Sequence, residues 1–99
     1  MELVGGEERG LDETAVSTVV DNRGMLCARG ILRLMRAMVE VAPAGVVKVL
    51  SSDEAAEHDY PAWCRATGHH FLGHHREADA RWGSLIVSFV KKRTGQPRA

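Results

Sequence analysis

A chain of 99 residues has room for one hydrophobic core. Thirteen Lys and Arg offset thirteen Asp and Glu to a formal net charge of zero, which excludes a generally basic nucleic-acid coat and an acidic tail and leaves only local electrostatics. No apolar run approaches the roughly 20 residues that span a bilayer, and MELVGGEERG has acidic residues where a secretory leader has basic ones, so a soluble, cytoplasmic protein is expected.

Residues 1–13 scatter Leu3, Val4 and Leu11 among glycines and acidic residues, and read as a flexible leader ahead of a domain at 14–92. AVSTVV, Ala15 to Val20, is β-branched and apolar; the DNRG that follows ends this first strand near Asp21. Residues 28–42 place Ile31, Leu34, Met35, Met38, Val39 and Ala42 at helical spacing, with Arg29, Arg33, Arg36 and Glu40 on the opposite side. Pro43, Ala44 and Gly45 stop that helix, and VVKVL at 46–50 is a second, mostly buried strand. A βαβ unit of this kind makes its two strands parallel, with the helix on one face.

Ser51, Ser52 and Asp53 offer caps for a second helix ending at Gly68. Pro61 predicts a break in it, with Asp59 or Tyr60 capping a second segment from Pro61 to about Thr67. HHFLGHH then reads as a third strand and WGSLIVSFVKK as a fourth, joined by a polar turn at READAR, with a frayed tail over 93–99. The order β-α-β-α-β-β predicts an α/β (α+β) two-layer sandwich, a four-stranded mixed sheet with both helices on one face.

Two cysteines cannot make a disulfide scaffold or a four-cysteine zinc site, which leaves thiol chemistry or packing. Cys27 stands at the head of the first helix, after a turn, where unpartnered amides and the helix dipole favour an anion and Arg29 adds a full charge. Cysteines so placed have their pKa lowered from about 8.5 into the range of roughly 3.5 to 7.5. A buried cysteine acting as a small apolar residue fits the position equally well.

The stretch D-N-R-G-M-L-C before an amphipathic helix, with H-D-Y-P-A-W-C-R-A-T-G-H further on, resembles the TusA or SirA-like family of small sulfur carriers. That family has D-x-x-G-x-x-C-P-x-P after its first strand, a D-x-P in its second helix and a G-H opening its third strand. The matching residues are Asp21, Gly24 and Cys27, then Asp59 and Pro61, then Gly68 and His69, and the likeness spans about residues 15–91. The resemblance implies a two-layer sandwich in which Cys27 takes a sulfane sulfur as a persulfide and passes it on. It further implies a cysteine desulfurase or rhodanese as donor, a protein acceptor in tRNA thiolation, molybdenum cofactor maturation or sulfur oxidation, and no metal or organic cofactor.

The family's C-P-x-P stands here as Cys27, Ala28, Arg29 and Gly30, so both prolines are gone. Ala28 restores an amide to the first turn, while Gly30 loosens it by about 1 kcal/mol of helix propensity. Ala28, Arg29 and Gly30 are therefore expected to frame the persulfide and its partner, Arg29 by contact with an acidic patch and Arg33 and Arg36 as solvated charges. A noncatalytic interaction module on the same fold is the alternative. No aromatic residues interleave with these arginines, which points away from direct nucleic-acid binding. His69, His70, His74 and His75 invite a metal reading, but strand alternation puts His70 and His74 with Leu72 on one face and His69 and His75 with Phe71 on the other. Cys64, beside Trp63, reads as packing, as does Trp82.

Overall fold

The computed structural model describes residues 15–94; the leader expected at 1–13 and residues 95–99 of the tail lie outside the described residues. Six elements follow in the expected order: β1 (Val16–Asn22), α1 (Cys27–Glu40), β2 (Val46–Ser51), α2 (Ala56–Thr67), β3 (His70–Asp79) and β4 (Gly83–Lys91). The sheet runs β1-β2-β4-β3. β1 pairs β2 in parallel, as a βαβ crossover requires, and β4 is antiparallel to both β2 and β3.

The main core lies between the helices and the sheet. Leu34 and Met38 of α1, Ala56, Tyr60 and Cys64 of α2, and Val47, Val49, Ile86 and Val90 of the inner strands are all buried there. Cys27, Gly30, Leu34 and Met38 are the buried residues of α1 and recur at helical spacing. Ala56, Tyr60 and Cys64 recur every four residues and do the same for α2. The opposite sheet face has its own apolar cluster of Val46, Val87 and Phe89, with Val16, Leu50 and Leu72 against it.

Three expectations need correction. α2 does not break at Pro61; it is continuous from Ala56 to Thr67. Pro61 lies just past the first turn, forfeits one backbone bond, and is held by burial of Tyr60 and Cys64 on either side of it. Only the last two residues of READAR belong to the turn, because β3 extends to Asp79. The turn is Ala80–Trp82, made by Asp79 Oδ1 accepting from the Arg81 and Trp82 amides at 2.8 and 2.9 Å. The histidines do not divide as alternation predicts, since the β3 register shifts between Phe71 and Gly73. His74 therefore shares a side with Phe71 (ring centroids 5.8 Å apart), while His75 faces Phe89 at 5.9 Å. Among the described residues no group of three or more His, Cys, Asp or Glu is placed to hold a metal, and no helix is long and apolar enough to cross a membrane.

Candidate functional site

The segment from Asp21 to Leu26 delivers Cys27 to the start of α1. Asp21 locks the bend by accepting from the Arg23 amide (3.1 Å) and guanidinium (2.8 and 2.7 Å), and the Arg23 pairing holds its carboxyl down at about 2. Gly24 takes φ +84°, a left-handed conformation that a side chain disfavours, and its amide donates to Ser52 Oγ at 2.8 Å. Leu26 is the N-cap and has no side chain able to cap. That role passes to Asp53, from the loop before α2: its Oδ2 accepts from the Cys27 amide at 2.8 Å and its Oδ1 from the Ala55 amide at 3.0 Å. One carboxylate thus ties the starts of both helices together and already occupies the leading amide of α1.

Cys27, Ala28, Arg29 and Gly30 form the first turn of α1, with Ala28 and Arg29 exposed and Cys27 and Gly30 buried. Cys27 is only 4 % exposed. The expected lowering of its pKa is reversed: burial pushes the thiol up to about 12, and the Asp59 carboxylate beside it adds to the rise. The Tyr60 hydroxyl, also beside the thiol, works in the opposite direction. Desolvation of an anion outweighs a partial helix charge whose first amide is already bonded to Asp53.

Beneath Cys27 lies a polar network absent from the sequence reading. Asn22, at the end of β1, is buried; its Nδ2 donates to Gly30 O and to the Tyr60 hydroxyl oxygen, both at 3.0 Å. Ser51 Oγ reaches the same hydroxyl at 3.2 Å. Arg33, expected as a solvated charge, instead donates from Nε to Asn22 Oδ1 at 3.0 Å. Gly30 is the residue that lets these elements meet, because a methyl there would lie 2.6 Å from Asn22 Nδ2 and 2.9 Å from the Tyr60 oxygen. Its place at the family's second proline is therefore a packing requirement and not simply a loosening of the helix. Sequence reasoning missed Asn22 as a site residue and read Asp53, Asp59 and Tyr60 only as caps for the second helix; the signals for those three were the cap position of Asp53 and the D-Y-P motif.

Around the buried sulfur the surface is apolar. Leu26 and Leu32 are 75 % and 61 % exposed and, with Met25, Ala28 and Arg29, line a shallow depression beside the head of α1. Cys64 is a second buried free thiol in the core, pushed up to about 11 by burial. His69 faces away from the site, its Nδ1 accepting from the Arg93 amide at 3.1 Å.

Asp53→Ala removes both cap bonds and is expected to lower stability by about 1 kcal/mol, read as a shift in urea midpoint. The Ala55 and Cys27 amides hold the Asp53 carboxyl below its ordinary value. Its stabilising effect is therefore complete above about pH 4 and is lost as pH falls through the depressed value. Wild type and variant should converge in stability as the solution is acidified below that point.

An open-faced sheet of this order carrying two helices on one side defines a small α+β domain with a cysteine at the head of its first helix. The family model described as sulfurtransferase TusA matches residues 18–88, and the chain belongs to that family. A protein of Archaeoglobus fulgidus named as a candidate sulfur carrier is 36% identical over 73 residues, 74% of this chain and 97% of its own length. The sulfur carrier protein TusA of Pseudomonas syringae pv. tomato is 25% identical over 84 residues, 85% of this chain and 94% of its own. The crystal structure of a SirA-like protein from Desulfitobacterium hafniense has the same fold, with a TM-score of 0.57 at 19% identity over 77% of this chain and 97% of that one.

Proposed function

We propose that this protein is a sulfur carrier that takes sulfane sulfur as a persulfide on Cys27 and relays it to a protein acceptor, with a cysteine desulfurase or rhodanese as donor. The observation that carries the reading is the place of Cys27 at the first position of α1, inside the segment matched by the family model, beside a carboxylate and a phenol able to handle its proton. Ala28, Arg29 and Gly30 complete the turn that would hold the persulfide. The exposed Leu26 and Leu32, with Arg29 between them, suit a docked protein with an apolar contact and an acidic rim. Because the sulfur is nearly buried, transfer takes place within a docked pair and not with free small thiols. The acceptor would belong to a thiolation, cofactor-maturation or sulfur-oxidation relay.

The test is intact-mass measurement of the reduced protein after incubation with a cysteine desulfurase and cysteine. A gain of one sulfur is expected, reversed by reductant, abolished in Cys27→Ser and retained in Cys64→Ser. No gain with several desulfurases and rhodaneses would sink the carrier reading. The burial and raised pKa of Cys27 favour one other reading, a noncatalytic docking module on the same fold. Under that reading Cys27→Ser binds the partner as tightly as wild type and no sulfur is ever loaded.

A further inference from the structure

Tyr60 is the chain's single tyrosine and is fully buried, so its hydroxyl has to be satisfied from within the fold. The Asn22 donor is fixed by its neighbours. Asn22 Oδ1 faces the Arg33 guanidinium, which can only donate, and Asn22 Nδ2 faces Gly30 O, which can only accept, so the amide has one orientation and presents N–H to the Tyr60 oxygen. Ser51 Oγ donates to the same oxygen. A phenolic oxygen with both lone pairs engaged keeps its own proton for a further acceptor, and the Cys27 sulfur is the candidate: Cys27 and Tyr60 share one buried cluster, and the Tyr60 oxygen lies 2.9 Å from where a Cβ on Gly30 would stand, one helical turn after Cys27.

We propose that Tyr60 donates its hydroxyl hydrogen bond to the Cys27 sulfur as that sulfur becomes an anion, with Asn22 and Ser51 as positioning residues that aim it. This rests on the reading of Cys27 as the carrier thiol. The leading amide of α1 is taken by Asp53, so the phenol adds a donor for the anion beyond what is left of the helix terminus. In the transfer step the Cys27 S–H proton passes to the neighbouring Asp59 carboxylate, and the thiolate attacks the outer sulfur of a donor cysteine persulfide. The donor S–S bond breaks as the new S–S bond to Cys27 forms. The donor sulfur leaves with the electron pair and takes the proton from Asp59. One thiol and one persulfide enter and one of each leaves, with no outside oxidant or reductant.

The test compares rates of Cys27 alkylation by iodoacetamide between about pH 7 and 9, where the rate tracks the thiolate fraction, and of persulfide loading, both in a Cys64→Ser background. Tyr60→Phe keeps the packed ring and is expected to slow both by about tenfold across that range. Ser51→Ala should slow both less. Biosynthetic replacement of tyrosine by a ring-fluorinated analogue alters Tyr60 alone and strengthens it as a donor, so both rates should rise several-fold; this arm needs no destabilising substitution. Unchanged or faster rates in Tyr60→Phe, or no response to fluorination, would overturn the proposal. Alkylation shifts of the expected sign in a protein that no donor loads would support Tyr60 as the thiolate's donor and count against the carrier reading alone.

Discussion

Gly30→Pro, which restores the family's second proline, is expected to destabilise the protein by about 3 kcal/mol or more, whereas Ala28→Pro, which restores the first, should be neutral or stabilising by about 0.4–1 kcal/mol. The two positions are two residues apart, yet their surroundings differ. Ala28 is exposed in the first turn, where a helix amide has no intrahelical carbonyl to bond and the proline φ is already suitable. The Gly30 amide donates to Leu26 O at 3.0 Å, a bond proline would delete. Any Cβ at Gly30 would also press on Asn22 Nδ2 at 2.6 Å, and Asn22 is held from two further sides by Tyr60 and Arg33. Gly30→Ala separates the two causes: it keeps the amide bond and gains about 1 kcal/mol of helix propensity, so a net loss of about 1–2 kcal/mol would report a clash costing about 2–3 kcal/mol. Urea denaturation of the three variants checks the order. A Gly30→Pro variant as stable as wild type would show that the Asn22–Tyr60 network is not holding the head of α1.

The contrast between these positions also marks how far the sequence could be read. Periodicity was enough for the six elements, because β-branched runs and the apolar stripe of α1 are local signals, and a βαβ order leaves few ways to close a mixed sheet. Elements failed where a local rule met a tertiary one. Pro61 should break a helix, but Tyr60 and Cys64 are pinned in the core on the same face. READ looked like a turn because it is polar, while its Arg76 is drawn along the sheet by an ion pair with Glu57 of α2 at 2.7 Å. The site was legible only as a cysteine before a helix. Its chemistry depends on Asp53, 26 residues from Cys27, and on the contact of Asn22 with Tyr60 across 38 residues, separations at which no pattern in one sequence marks a pair. The sign of the Cys27 shift failed for the same reason: helix position can be read from spacing, whereas desolvation is a property of what folds over the sulfur.

Leu34→Ala should cost about 2–5 kcal/mol, since Leu34 is wholly buried between the helices and the sheet and its removal leaves a cavity that the flanking strands cannot collapse to fill. In a domain of this size that is a fall in melting temperature on the order of 10 °C or more. It stands two helical turns from Cys27 on the same buried stripe, about 10 Å along the axis. Asn22, Asp53 and Tyr60 grip the head of α1 independently of the packing further along. Alkylation of Cys27 in Leu34→Ala, measured well below its melting range, is therefore expected at the wild-type rate, with stability and thiol reactivity changing separately. A change in that rate matching the loss of stability would mean that α1 moves as one body, and that the cover over the Cys27 sulfur is set by the core and not by the polar clamp at the end of the helix.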